Sequence, residues 1–147
     1  MPNFTSQIIE TFSGDTGTIN STNTHTITDI NEVTKFVVGV KNGVQTTLAT
    51  FAAGTHTSAG AHKVADVKYV RMTNLGSANI SIGIIGAATC HNIILGADES
   101  YMIGVTDDTY LAEASTNPSH ASHADKTAIE AQSTSGVQQV EIVIASA

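Results

Sequence analysis

The chain has no tryptophan, one cysteine and two prolines, and aromatic residues make up only 5% of it. A lone thiol, Cys90, forms no internal disulfide, so packing rather than cross-linking must hold the fold, in keeping with synthesis in a reducing compartment. So few rings argue against a stacking platform for sugars or bases. Charge is scarce as well: charged residues are 13% of the chain, about half the usual share. Six Lys and Arg against thirteen Asp and Glu leave a net charge of −7. The cations Lys35, Lys41, Lys63, Lys68, Arg71 and Lys126 never form a run. Neutralising phosphates or anionic headgroups takes a clustered positive surface, so direct contact with nucleic acid or membrane is not expected. No apolar stretch reaches bilayer-spanning length, and "MPNFTSQIIE" lacks the basic and apolar regions of a secretion signal. The expectation is a chain made without translocation, for which the sequons at Asn3, Asn20 and Asn79 have no glycan meaning.

What is present is hydroxyl and alternation. The 147 residues fit one domain, and they include 21 Thr and 13 Ser. Threonine is β-branched, loses freedom in a helix and packs well on a pleated surface, so the bias favours strands. Period-two alternation recurs and stops each time at turn residues. Phe36, Val38 and Val40 share a face before "KNGV", where Asn42 and Gly43 tolerate the positive φ of a tight hairpin. A run from Gln45 to Phe51 precedes a small-residue loop, "AAGTHTSAGAH". "VKYVRMTNLGSANISIGII", residues 67 to 85, reads as a hairpin with Val70 and Met72 on one side and Tyr69, Arg71 and Thr73 on the other. "CHNIIL" and "SYMIGV" flank a turn at Gly96 to Glu99, and Val140, Ile142 and Ile144 alternate at the end. Gln7 to Phe12 and Thr18 to Ile30 are further strands, the second rich in Thr and Asn and weakly held in register. Ala121 to Gln132 has too few apolar residues for a buried helical stripe and reads as loop leading to a strand near Ile129. Eight to ten short strands imply an all-β fold: a single antiparallel β-sandwich over residues 1–147, jelly-roll-like or alternatively immunoglobulin-like, with residues 1–12 as an extended amino-terminal arm.

Candidate chemistry is thin. His120 and His123 stand three apart in "PSHASHAD", and His56 and His62 bracket another loop, but a zinc site needs three or four convergent ligands. No metal or cofactor is expected: these read as solvated or interface-bonded loop histidines, with a structural or intersubunit metal as the alternative. Cys90 and His91 are strand neighbours, so they point to opposite faces and cannot act as thiolate and base. Cys90 reads as a small core or half-buried residue. "GTHTSAGAHK" lacks the spacing and the Lys-Ser or Lys-Thr of a phosphate loop. Asp107 and Asp108 form a solvated turn rather than a calcium loop, which supplies more oxygens at alternating spacing. No convergent acid, base and nucleophile can be assembled, so an enzyme is not expected.

Tyr69, Arg71 and Thr73 would instead form a mixed aromatic and polar face of the kind protein interfaces favour, and a charge-poor exterior is cheap to desolvate. "VKYVRMTNLGSANISIGI", then "IILGADESYMIG" and the closing "VEIVIASA", resemble small virion structural proteins of tailed bacteriophages. In these a strand ending in Thr-Asn, a second strand, and a Leu-x-x-x-Glu-Ser turn into an aromatic strand recur. The resemblance covers residues 67 to 104 and the last strand, with Ala97 and Asp98 where members often carry Pro-Gly. It implies a non-enzymatic capsid decoration or cement protein on the virion surface, assembled in the bacterial host cytoplasm. Its partners would be the major capsid protein and itself, as homotrimer or homodimer. Contact candidates are then Phe4, Ile8, His56, Tyr69, Arg71 and Thr73. A tail or neck component and a receptor- or carbohydrate-binding β-sandwich are the alternatives.

Overall fold

A computed structural model describes residues 2–15, 17–52, 61–86, 90–104 and 126–147, and among these it contains strands and turns but no helix. The strands are β1 (Phe4–Gly14), β2 (Gly17–Ile27), β3 (Glu32–Lys41), β4 (Thr46–Ala52), β5 (Ala61–Lys63), β6 (Val67–Asn74), β7 (Ile80–Gly86), β8 (Cys90–Leu95), β9 (Ser100–Gly104), β10 (Lys126–Ser133) and β11 (Val137–Ser146). β5 lies at the end of the segment expected to be loop throughout. The helix-or-loop reading of residues 121–125 falls outside the described residues.

Three sheets form. One has four strands in the order β3-β11-β6-β9, one has five in the order β5-β4-β10-β7-β8, and β1-β2 is a separate two-stranded ribbon. All neighbours are antiparallel except β4 and β5. The period-two pattern decides which side chains turn inward. Val40, Val70, Met72, Val140, Ile142 and Ile144 of the four-stranded sheet meet Leu48, Ile80, Ile82, Leu95, Ile129 and Ala131 of the five-stranded sheet in one apolar cluster. Each fully buried isoleucine there contributes about 1.5–3 kcal/mol of transfer free energy. The result is an all-β, single-domain fold with several antiparallel sheets.

The expected hairpins are corrected by this pairing. β3 and β4, β6 and β7, and β8 and β9 are each joined by a short turn, yet the two strands of each pair lie in different sheets. The Asn42-Gly43 turn, with Gly43 at φ +69°, carries the chain from one sheet to the other, and so does the turn of residues 75–79. Two alternating strands around a turn can lie side by side or face one another across a core. Alternation is the same in both cases. The burial of Val70 and Met72 against Ile80 and Ile82 selects the second.

These crossings gather at one end and are hydrogen-bonded to one another. Asn42 N–H donates to Gly136 O (2.8 Å), Leu75 N–H to Gln139 O (2.8 Å), Thr134 N–H to Asn79 O (3.0 Å) and Asn74 N–H to Glu99 O (2.9 Å). Asn74 is the clasp. Its side chain is fully buried; Nδ2 donates to Ala78 O (2.9 Å), Leu95 O (3.1 Å) and Gly96 O (2.8 Å), while Oδ1 accepts from Gly76 N–H (2.9 Å). Gln138 Oε1 accepts from Ser77 N–H and Ala78 N–H on the same turn.

The first twenty-odd residues behave differently. β1 pairs with β2 from Phe4↔Ile27 to Gly14↔Gly17. The segment expected as an extended amino-terminal arm is one strand of a ribbon about 37 Å long at 3.4 Å per residue. Beyond its base the ribbon is exposed.

Candidate interaction surface

The outer face of the four-stranded sheet carries the residues singled out from sequence, and the strands set them in rows. Tyr69 stands beside Ala145 and Gly104; Arg71 beside Val143 and Met102; Thr73 beside Glu141 and Ser100. The three share one face, as alternation requires. Tyr69, however, is only 5% exposed. Phe4, Ile27 and Ile30 close over Tyr69, Val143 and Ala145 as a second apolar cluster. The Phe4 and Tyr69 rings lie 4.8 Å apart at 46°, and Ser6 Oγ donates to the Tyr69 hydroxyl oxygen at 3.4 Å. Tyr69 and Phe4 therefore contact each other within the chain, and Tyr69 offers no open surface: the base of the ribbon covers it, an element far away in sequence. Arg71 and Thr73 remain half-buried at the surface, and Ile8 projects from the ribbon. His56 lies outside the described residues.

A charge cluster that sequence reading missed crosses this face. Glu141 on β11 receives Lys35 Nζ of β3 at 2.8 Å on one side and the Arg71 guanidinium of β6 on the other. The pairs are diagonal, since Glu141 stands level with Val37 and Thr73. The hydrogen bond from Lys35 holds the Glu141 carboxyl below its ordinary value; burial opposes the shift, and Arg71 adds to it. Two cations for one carboxylate leave the cluster with a surplus positive charge. Among the described residues Arg71 Nε has no partner, while Thr73 Oγ1 and Ser100 Oγ share a hydrogen bond of 2.8 Å. The one sequence signal was position: Glu141 is the only charge on a strand whose other face is core.

On the opposite sheet, Ser81, Gly83, Asn92, Glu130 and Gln132 line an open groove of about 70 Å³. Small-molecule sites enclose roughly 300–1,000 Å³. Cys90 borders the groove and is exposed, which corrects the expectation of a small core or half-buried residue: β8 is an edge strand among the described residues, and its 90/92/94 side faces outward. Its thiol donates to Asn92 Oδ1 at 3.2 Å. Of the other candidates, His62 packs 6.3 Å from the Phe51 ring. His120, His123, Asp107, Asp108 and the Gly54 to Gly60 loop lie outside the described residues. Among those described, no three His, Cys, Asp or Glu side chains cluster to hold a metal ion, and no helix is long and apolar enough to cross a membrane. No family model, no curated protein and no solved structure matches the chain.

Proposed function

We propose that this protein is a non-enzymatic virion structural protein, a decoration or cement subunit that stiffens a bacteriophage head by binding its major capsid protein and further copies of itself. The observation that carries the reading is the strand order. β3, β11, β6 and β9 facing β4, β10, β7 and β8, with four short connections that each change sheet, support reading the fold as a jelly-roll-like winding of eight strands with β5 added. An immunoglobulin-like arrangement pairs consecutive strands within its sheets at several places; here, from β6 onward, only β7 and β8 do so. Jelly rolls recur in viral shells and in lectins, so this support is an analogy of fold. The bacteriophage resemblance of residues 67 to 104 tips it towards the shell.

The mechanism is burial of surface. Outer faces poor in charge and rich in hydroxyls desolvate at small cost, and many copies on one particle act together, so modest affinity per copy suffices. Particles lacking the protein should release DNA at a lower temperature and under milder osmotic shock than complete ones. Equal release would refute the reading. Cryo-microscopy of labelled particles separates a head position from the tail or neck alternative, and binding on a glycan array would favour the carbohydrate-binding alternative instead.

A further inference from the structure

The ribbon has two unlike faces. Residues directly opposite in an antiparallel pair share a face. One face is therefore Thr5, Thr26, Gln7, Thr24, Ile9, Thr22 and their successors, almost wholly polar. The other begins at Phe4 and Ile27, runs outward through Ile8 and Glu10, and ends at Phe12 and Ile19. At its base this second face is docked on the outer side of the four-stranded sheet. At its far end Phe12 and Ile19 are 61% and 68% exposed. A two-stranded ribbon standing in water is marginal on its own. The exposed end therefore repeats, without a cover, the chemistry of its covered base.

We infer that the free part of this face, beyond its base, lies on the outer side of the four-stranded sheet of a second copy, against β3, and that the ribbon is the device of self-association. Three observations choose this occupant. The donor reads Ile8, Glu10, Phe12 along one face of β1, and the outer face of β3 reads Val33, Lys35, Val37: apolar, charged, apolar at the same two-residue pitch and with opposite charge. Val33 and Val37 are each about half exposed, at 52% and 50%. Lys35 belongs to the cluster with one cation in excess, whereas Glu10 pairs with no cation among the described residues. The surface is also the one on which the base of the ribbon already rests, so the contact continues an apolar seam. Finally, the free part of the ribbon is about 30 Å long and 10 Å wide. Two such faces exchanged about a two-fold axis, counted on both partners, bury about 1,200 Å², the lower edge of stable interfaces. Every copy carries both halves, so one symmetric pairing satisfies both.

This rests on the self-association in the proposed function and not on the location in a particle. A protein that associates in solution through its ribbon but is absent from purified particles removes the location and leaves the ribbon's role intact. The test is sedimentation equilibrium of the full-length protein. The wild type should form a dimer, and Phe12→Ser with Ile19→Thr should weaken association about a hundredfold with the melting temperature of the dilute, monomeric protein unchanged. Glu10→Lys and Lys35→Glu should each weaken self-association, and mixing the two should restore it, because in the mixed pair both charge contacts are again opposite. Hydrogen exchange adds a readout that needs no variant: amides of residues 8–12 and 19–23 should be protected in concentrated protein and exposed on dilution. A wild type that stays monomeric at high concentration, association indifferent to the Phe12 and Ile19 changes, or ribbon exchange independent of concentration would each overturn the inference.

Discussion

Replacing Asn74 by aspartate changes almost no volume and removes the side-chain donor that ties two of the turns together. The Asn74 amide nitrogen serves the carbonyls of Ala78, Leu95 and Gly96, and its oxygen holds Gly76 N–H. A carboxylate keeps the last contact and turns a negative charge towards three carbonyl oxygens at a site with no exposure to water. Each buried polar group left without its partner costs about 1–3 kcal/mol, so two such losses at this site come to roughly 3–4 kcal/mol. In a domain of this size that lowers Tm by about 10 °C. Burial and the carbonyls favour the neutral acid, which regains one donor. The gap between Asn74→Asp and wild type should therefore widen as pH rises from 4 towards 7, where ionisation is resisted. Urea unfolding followed by far-ultraviolet circular dichroism is the assay, since the chain has no tryptophan to report by fluorescence. A loss under about 1 kcal/mol, or a gap that ignores pH, would show that the corner does not depend on this side chain.

Other consequences can be checked alongside. A Cβ at Gly76 would fall 2.1 Å from Gln138 Oε1 and 2.9 Å from its Cβ, so Gly76→Ala should cost about 1–3 kcal/mol in the same titration. Because the Glu141 carboxyl is held below its ordinary value of 4.5, its contribution is complete above that pH and is lost as pH falls through the depressed value. Glu141→Gln should accordingly flatten the acid limb of the stability profile below pH 4.5. Ile82, with no exposure, and Ile94, 66% exposed, should separate cleanly: alanine costs about 2–5 kcal/mol at the first and under 0.5 kcal/mol at the second.

Inward and outward parity was legible in the sequence; sheet membership was not. Val70 and Met72, and likewise Ile80 and Ile82, alternate in a way that fixes which side chains seek the core. Nothing in that pattern says whether the second strand lies beside the first or across from it. Gly43 carries the positive φ a hairpin needs, but a crossing turn needs it equally. Asn74 was legible as a turn residue, whereas its closing of a second turn depends on Leu95 and Gly96, which only the folded chain brings near. The outer face failed in the same way: Tyr69 has the outward parity expected of it, and its cover, Phe4, is supplied by a strand that among the described residues pairs only with β2. Cys90 was read as core or half-buried from its residue type, whereas the alternation that turns Ile93 and Leu95 inward sets it on the outer side of its strand.

The corner bonds also make a statement about cooperativity. Each of the four crossing turns is held by a bond to another: residues 42 and 136, 75 and 139, 79 and 134, 74 and 99. If these form one unit, loosening the clasp at Asn74 should raise the exchange of the Asn42, Leu75, Asp98 and Thr134 amides by a common factor, because one opening event exposes all of them. Amides in the middle of β7 and β11 should be slowed or quickened only with global stability, since their carbonyl partners lie in neighbouring strands and not in the turns. Native-state hydrogen exchange of Asn74→Ala at low denaturant measures this directly. Should Asp98 quicken while Asn42 and Thr134 keep their wild-type protection, the corners open independently, and the end of the molecule is a set of separate turns rather than a single fastened cap.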